Sequence, residues 1–170
     1  MKEINVKELN DNVFEAISDE WMLVSAGSMD NYNMMTASWG TLGWLWNRPV
    51  AIVFVRPERY TCGMIESADR LTLSFLGTSQ QARDIYKFCG SESGKDVDKM
   101  KLSGLTPKVS PQGDVVYEQS RLTLVGRKLY AQSMTDDSFV DKSLLERFYG
   151  EHGGMHRIFV VEIEAAYVAE

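Results

Sequence analysis

Along this chain, short apolar runs and alternating stretches outnumber helical repeats. VAIVFV, residues 50–55, is continuously apolar, the pattern of a strand buried on both faces. Pro49 and Pro57 bracket it, at strand-end positions where proline is tolerated. Residues 70–76, RLTLSFL, alternate and predict another strand. WMLVSAG, residues 21–27, predicts a strand ending in the turn-rich SMDN, and residues 32–39 predict the next strand. A long final strand is predicted over residues 156–169, where HRIFVVEI has strong β-propensity. Residues 115–134 predict a hairpin or a long bent strand pair. Val6, Leu9, Val13 and Ile17 stand at helical spacing, so residues 6–17 predict a short amphipathic helix. Further helices are predicted over residues 61–67 with Thr61 as cap, 79–88 with Ser79 as cap, 95–102 before Gly104, and 141–150 closed by Gly150. Strands outnumber helices and do not alternate regularly with them. That argues for a mainly β, mostly antiparallel barrel with peripheral helices, and against a doubly wound parallel sheet.

Composition adds limits. At 170 residues, 44% hydrophobic and 25% charged, the chain suits one packed globular domain over residues 1–170. Its net charge of -6 and the lack of a basic run speak against nucleic acid as a partner. Cys62 and Cys89 show neither metal spacing nor a disulfide framework. The N-terminal residues lack the apolar core of a signal peptide, and no apolar run is long enough to span a membrane. A soluble, cytoplasmic protein is expected.

Three stretches carry candidate chemistry. In NMMTASWG, residues 33–40, alternation puts Thr36, Ser38 and Gly40 on one face and Met35, Ala37 and Trp39 on the other. Hydroxyls ending in a glycine suit a flat ring with polar edges; the bland alternative is an edge strand with Trp39 in the core. In RPERYT, Arg56 and Arg59 flank a proline turn and Thr61 follows at a helix start, a plausible phosphate trap. Read blandly, it is a surface turn with an ion pair to Glu58. In SGKDVDK, Lys95 and Lys99 lie four apart and would share a helix face, either toward a ligand or in a solvated, charge-paired helix start capped by Ser93. It is not a Walker loop. HGGMH, with His152 and His156, has the spacing of a helical metal pair, but its two glycines oppose a helix there, so no metal site is expected.

Taken together and in this order, these three motifs resemble the flavin reductase-like family with the FMN-binding split-barrel fold, over about residues 21–163. The resemblance implies a six-stranded antiparallel Greek-key split barrel, usually a homodimer with FMN near the subunit interface. It places Asn33, Thr36, Ser38 and Trp39 along the isoalloxazine and ribityl chain. Arg56, Arg59, Tyr60 and Thr61 would lie toward the phosphate. Lys99, with Lys95, would contact the flavin, and His156 and Phe159 would stand where the last strand approaches it. The implied function is an NAD(P)H-dependent oxidoreductase passing a hydride or electrons through FMN to a flavin, ferric or other small acceptor. An FMN-binding electron carrier of the flavoredoxin kind, or a flavin-binding interaction protein without turnover, is the alternative. In such a protein the cofactors perform the redox step, so no catalytic acid–base pair is expected. Trp44 and Trp46, outside the matched motif, fall to core or dimer packing.

Overall fold

The computed structural model describes residues 1–150 and 153–170. Its strands are β1 Lys2–Ile4, β2 Met22–Ser28, β3 Asn31–Ala37, β4 Gly40–Leu45, β5 Arg48–Val55, β6 Arg70–Phe75, β7 Pro107–Val109, β8 Val115–Tyr117, β9 Leu122–Ser133 and β10 Arg157–Val168. Helices α1 Val13–Glu15, α2 Tyr60–Ser67, α3 Gln80–Ser91, α4 Lys99–Leu102 and α5 Ser143–Tyr149 stand between them. An eight-stranded antiparallel sheet runs in the order β3-β2-β6-β9-β10-β5-β4, with β1 pairing β10 off this path. Within it β6, β9, β10 and β5 have the Greek-key arrangement.

The sheet curls, because side chains from β2, β3, β5, β6, β9 and β10 meet in one buried cluster. Met22, Val53, Leu73, Phe75, Leu124, Phe159 and Val161 are among its members. Cys62 and Ile65 of α2 join this same cluster. On the other side of β2 and β3, the apolar stripe Ala82, Ile85, Tyr86 and Cys89 of α3 packs on Leu23, Tyr32 and Met34. The two faces of β3 therefore serve two cores, which is why NYNMMTA is apolar without alternating cleanly.

β3 and β4 stand at opposite ends of the sheet order, yet only Ser38 and Trp39 separate them in the chain. This junction is the split in the barrel. β3 ends at Ala37, two residues before the predicted end. Trp39, assigned by alternation to the core face, is 40% exposed.

Several expectations need correction. The sheet has eight strands rather than six, through β1 and through β4, which is joined to β5 in a hairpin. The hairpin turns at Trp46 and Asn47, both at positive φ (52° and 58°), the left-handed pair of a tight primed turn. Residues 6–17 are not one helix. Asn5 caps a 3-10 turn over Val6–Glu8, and Asn12 caps α1, which runs into a π turn over Ala16–Glu20. These asparagines satisfy local backbone N–H groups and interrupt the apolar period. Residues 115–134 do not pair with one another: β8 pairs β7, whereas β9 lies between β6 and β10. The helix predicted from residue 95 starts only at Lys99, because Asp98 caps it through the Lys101 N–H.

Candidate functional site

A cavity of about 310 Å³ lies at the split. One wall is the end of β3 with Thr36 and Ser38; the others are Phe54 of β5, Trp39, Arg56, Arg59, Phe148 and His156. Lys99 Nζ bonds the Met34 carbonyl from outside the sheet, so the peptide groups of Met34 point away from β2. Alternation turns those of Thr36 the same way, and this unpaired edge of β3 borders the cavity. The Thr36 hydroxyl is already committed, donating to the Tyr86 carbonyl of α3 at 2.6 Å. Gly40, predicted to admit a ring, instead admits the Ile52 carbonyl, 2.8 Å from where a Cβ would stand.

Aromatic rings form the opposite wall. Trp39 lies 5.1 Å from the His156 ring and 5.2 Å from Phe148, which meets it edge-on at 88°. Tyr149 Oη and His156 Nδ1 share a hydrogen bond of 2.8 Å. Burial, reinforced by the Arg56 charge and only partly opposed by Glu58, pulls the His156 pKa down to about 4. The imidazole is therefore neutral near pH 7 and adds no charge to the cavity.

Arg59 divides this cavity from a second one of about 570 Å³, which it also lines with Glu58, Tyr60, Met64 and Lys95. Its guanidinium donates to the Gly90 carbonyl at 2.7 Å and the Cys89 carbonyl at 3.1 Å, at the C-terminal end of α3. An arginine carries five N–H donors, so these two bonds leave capacity for an anion. Arg59 is also the cap residue of α2, a place assigned to Thr61 from the sequence. Thr61 is the second residue of the helix, is buried, and accepts a hydrogen bond from Asn33 Nδ2 at 2.9 Å. Asn33 is in turn pressed by Gly94, where a Cβ would stand 2.6 Å from Asn33 Oδ1. This contact packs the SGKDVDK loop onto β3.

The structure thus brings Thr36, Ser38, Trp39, Arg56, Arg59 and His156 to one cavity, and Tyr60 and Lys95 to its neighbour. Asn33 and Thr61 form a buried brace between β3 and α2. Two expected contacts are turned elsewhere. Phe159 is fully buried among the barrel core residues. Lys99 is 3% exposed, and its ammonium donates to the carbonyls of Met34 at 3.2 Å and Cys89 at 2.8 Å. Burial lowers its pKa, with Arg59 adding to the effect and Cys89 opposing it. Lys95 lies in the turn before α4, so the two lysines do not share a helix face.

Arg56 does more than line the cavity. It donates to the carbonyls of Phe148 at 2.8 Å and Gly154 at 3.3 Å, and its guanidinium stands 5.3 Å from the Tyr149 ring. Glu58 accepts a hydrogen bond from the Gly154 N–H. That bond and Arg56 outweigh burial and hold the Glu58 carboxyl below its usual range. Sequence reasoning missed Phe148, Tyr149 and Glu58 as site residues. The one local signal was the glycine pair in HGGMH: a Cβ at Gly153 would stand 2.8 Å from an Arg56 guanidinium nitrogen and one at Gly154 2.9 Å from Pro57 Cγ, so glycines let the chain press on the Arg56-Pro57-Glu58 turn. His152, the other half of the rejected metal pair, lies outside the described residues.

The geometry is that of an antiparallel split barrel with a polar-edged, aromatic-walled cavity at its seam. The family model described as flavin reductase like domain matches residues 14–170, and the chain belongs to that family. Solved structures agree in fold. Flavoredoxin from Methanosarcina acetivorans superposes with a TM-score of 0.70 at 22% identity, covering 100% of this chain and 77% of that one. An FMN-binding protein from Thermus thermophilus with bound 1-cyclohex-2-enone gives 0.69 at 20% identity, covering 99% and 80%. An NADH:FAD oxidoreductase from Streptomyces globisporus, in complex with NAD and FAD fragments, gives 0.64 at 15% identity, covering 88% and 74%. No curated protein matches the sequence. No helix among the described residues is long and apolar enough to cross a membrane.

Proposed function

We propose that this single domain binds FMN at the split and serves as an NAD(P)H-dependent oxidoreductase, delivering a hydride or electrons to a flavin, ferric or other small acceptor. The observation that carries the reading is the pair of cavities joined at Arg59. One is lined by the outer edge of β3 and Ser38 on one side and by the rings of Trp39, Phe148 and His156 on the other. The other presents Arg59, Lys95 and the N-terminal turn of α2, which suit an anion. A planar ring with polar edges and a phosphate tail matches this donor set, in which Arg59, Tyr60 and Lys95 hold the tail and Thr36, Ser38 and Trp39 border the ring. Asn33 and Thr61 brace that wall. Bound flavin supplies two-electron redox chemistry, accepting hydride from a nicotinamide. The chain orients the ring, excludes water with Trp39, Phe148 and His156, and keeps His156 neutral beside it.

A homodimer belongs to this reading. Trp44 and Trp46 are 56% and 55% exposed on the β4–β5 hairpin, at the sheet edge next to the split. Core packing does not account for them, and a second copy would cover them. A cytoplasmic location fits the two free cysteines.

The carrier reading has one observation in its favour: Phe148 closes the aromatic wall, where a nicotinamide would have to approach. Steady-state oxidation of NADH and NADPH by the FMN-loaded protein separates the readings. Turnover with a flavin or ferric acceptor is expected; a yellow protein that oxidises neither donor supports the carrier.

A further inference from the structure

We infer that α5 is a strap over the redox cavity and that Phe148 is the side chain that selects the second substrate by size. This inference rests on the flavin reading of the cavity. Small-molecule pockets run roughly 300–1,000 Å³. At about 310 Å³ this cavity stands at the low end of that range, and a second planar ring stacking beside Trp39 would have to come past Phe148. Three walls come from β3 with the Ser38-Trp39 junction, from Phe54 of β5 with Arg56 and Arg59 after it, and from His156 at the start of β10. The fourth is α5, all of whose residues are at least partly exposed.

The strap is held by polar anchors rather than by a buried face. Arg56 binds the Phe148 carbonyl, Tyr149 Oη bonds His156 Nδ1, and Glu58 holds the Gly154 N–H. Segments with few buried apolar contacts open locally at low cost. Gly153, at φ +81°, and Gly154 follow the strap, and both fit where a Cβ would strike the Arg56-Pro57-Glu58 turn. The arrangement is a latch with glycine at its end. Closed, it admits small reagents to the cavity. Lifted, it takes Phe148 off Trp39 and frees an aromatic surface for a planar substrate such as a nicotinamide.

Two measurements test this. Amide hydrogen exchange is compared across wild type, Tyr149→Phe and Glu58→Ala without flavin. Each variant should exchange about fivefold faster over residues 143–149, the effect of losing one net hydrogen bond, with β9 unchanged. Unchanged exchange in both variants overturns the latch. Flavin-loaded wild type and Phe148→Ala are then reduced by NADH and by dithionite in a stopped-flow instrument. Phe148→Ala should speed reduction by NADH about tenfold, with dithionite reduction within about twofold of wild type. Phe148→Trp, with a larger ring, should lower the NADH-to-dithionite ratio below that of wild type. An NADH rate unchanged or lowered in Phe148→Ala, no NADH reaction in either protein, or equal acceleration of both reductants overturns the size selection. If the protein takes up no flavin, the proposed function falls, and the exchange comparison still decides whether α5 is latched as described.

Discussion

Replacing Lys99 by Met separates two roles for the buried ammonium. In the structure Lys99 ties α4 to β3 and α3 through two carbonyls. Hydrogen bonds from a charged donor contribute about 1.5–3 kcal/mol each. Two opposing facts reduce the loss. Burial already disfavours the ammonium, as its lowered pKa shows, so removing it relieves some desolvation. The Cys89 carbonyl also keeps its bond from Arg59, leaving the Met34 carbonyl as the group that loses its donor. The net cost should be about 2 kcal/mol. At roughly 2–4 °C per kcal/mol for a chain of this size, the unfolding midpoint falls by about 4–8 °C. Thermal unfolding followed by circular dichroism measures it, with the flavin midpoint potential measured in parallel. A fully stable variant with a lowered potential would refute the reasoning and place Lys99 against the flavin.

The remaining predictions concern the site and its surroundings. His156 has a folded pKa of about 4 against 6.5 in an unfolded chain, so below pH 6.5 protons bind the unfolded state first. Its contribution is complete above pH 6.5 and declines by up to about 3 kcal/mol toward pH 4. His156→Phe should flatten the stability profile over that window, and equal acid slopes would count against a neutral buried imidazole. Arg59→Ala should weaken FMN binding about tenfold or more while changing riboflavin binding little, because only FMN carries the phosphate. Lys95→Ala should show a smaller effect in the same direction, and equal losses for both ligands would remove these residues from the phosphate end. Trp44→Ser with Trp46→Ser should shift sedimentation from dimer to monomer; a wild-type monomer would leave the hairpin without that role.

Much of the barrel was legible because its signals are local. The apolar run of β5 between two prolines, the alternation of β6 and the Ser79 cap of α3 each follow from neighbours in sequence. β4 was missed because GTLGWL has two glycines and is exposed at most positions, so neither β-propensity nor burial marks it. Its existence depends on the pairing with β5 and on a turn whose Trp46 gives no hint of positive φ. The site was legible as a set of motifs but not as a set of directions. RPERYT names two arginines, yet only the fold turns Arg56 toward α5 and Arg59 toward α3. Likewise SGKDVDK offers two lysines, and the late start of α4 decides that Lys99 goes inward and Lys95 outward. Contacts such as Glu58 with Gly154 span most of the chain and leave only the glycines as a trace.

The placement of a flavin at the split is tested most directly by amide hydrogen exchange of the wild-type protein with and without saturating FMN. Protection should concentrate in residues 33–39 and 56–61, on the two sides of the cavity pair. Absence of any FMN uptake, or protection confined to segments remote from β3 and α2, would contradict it.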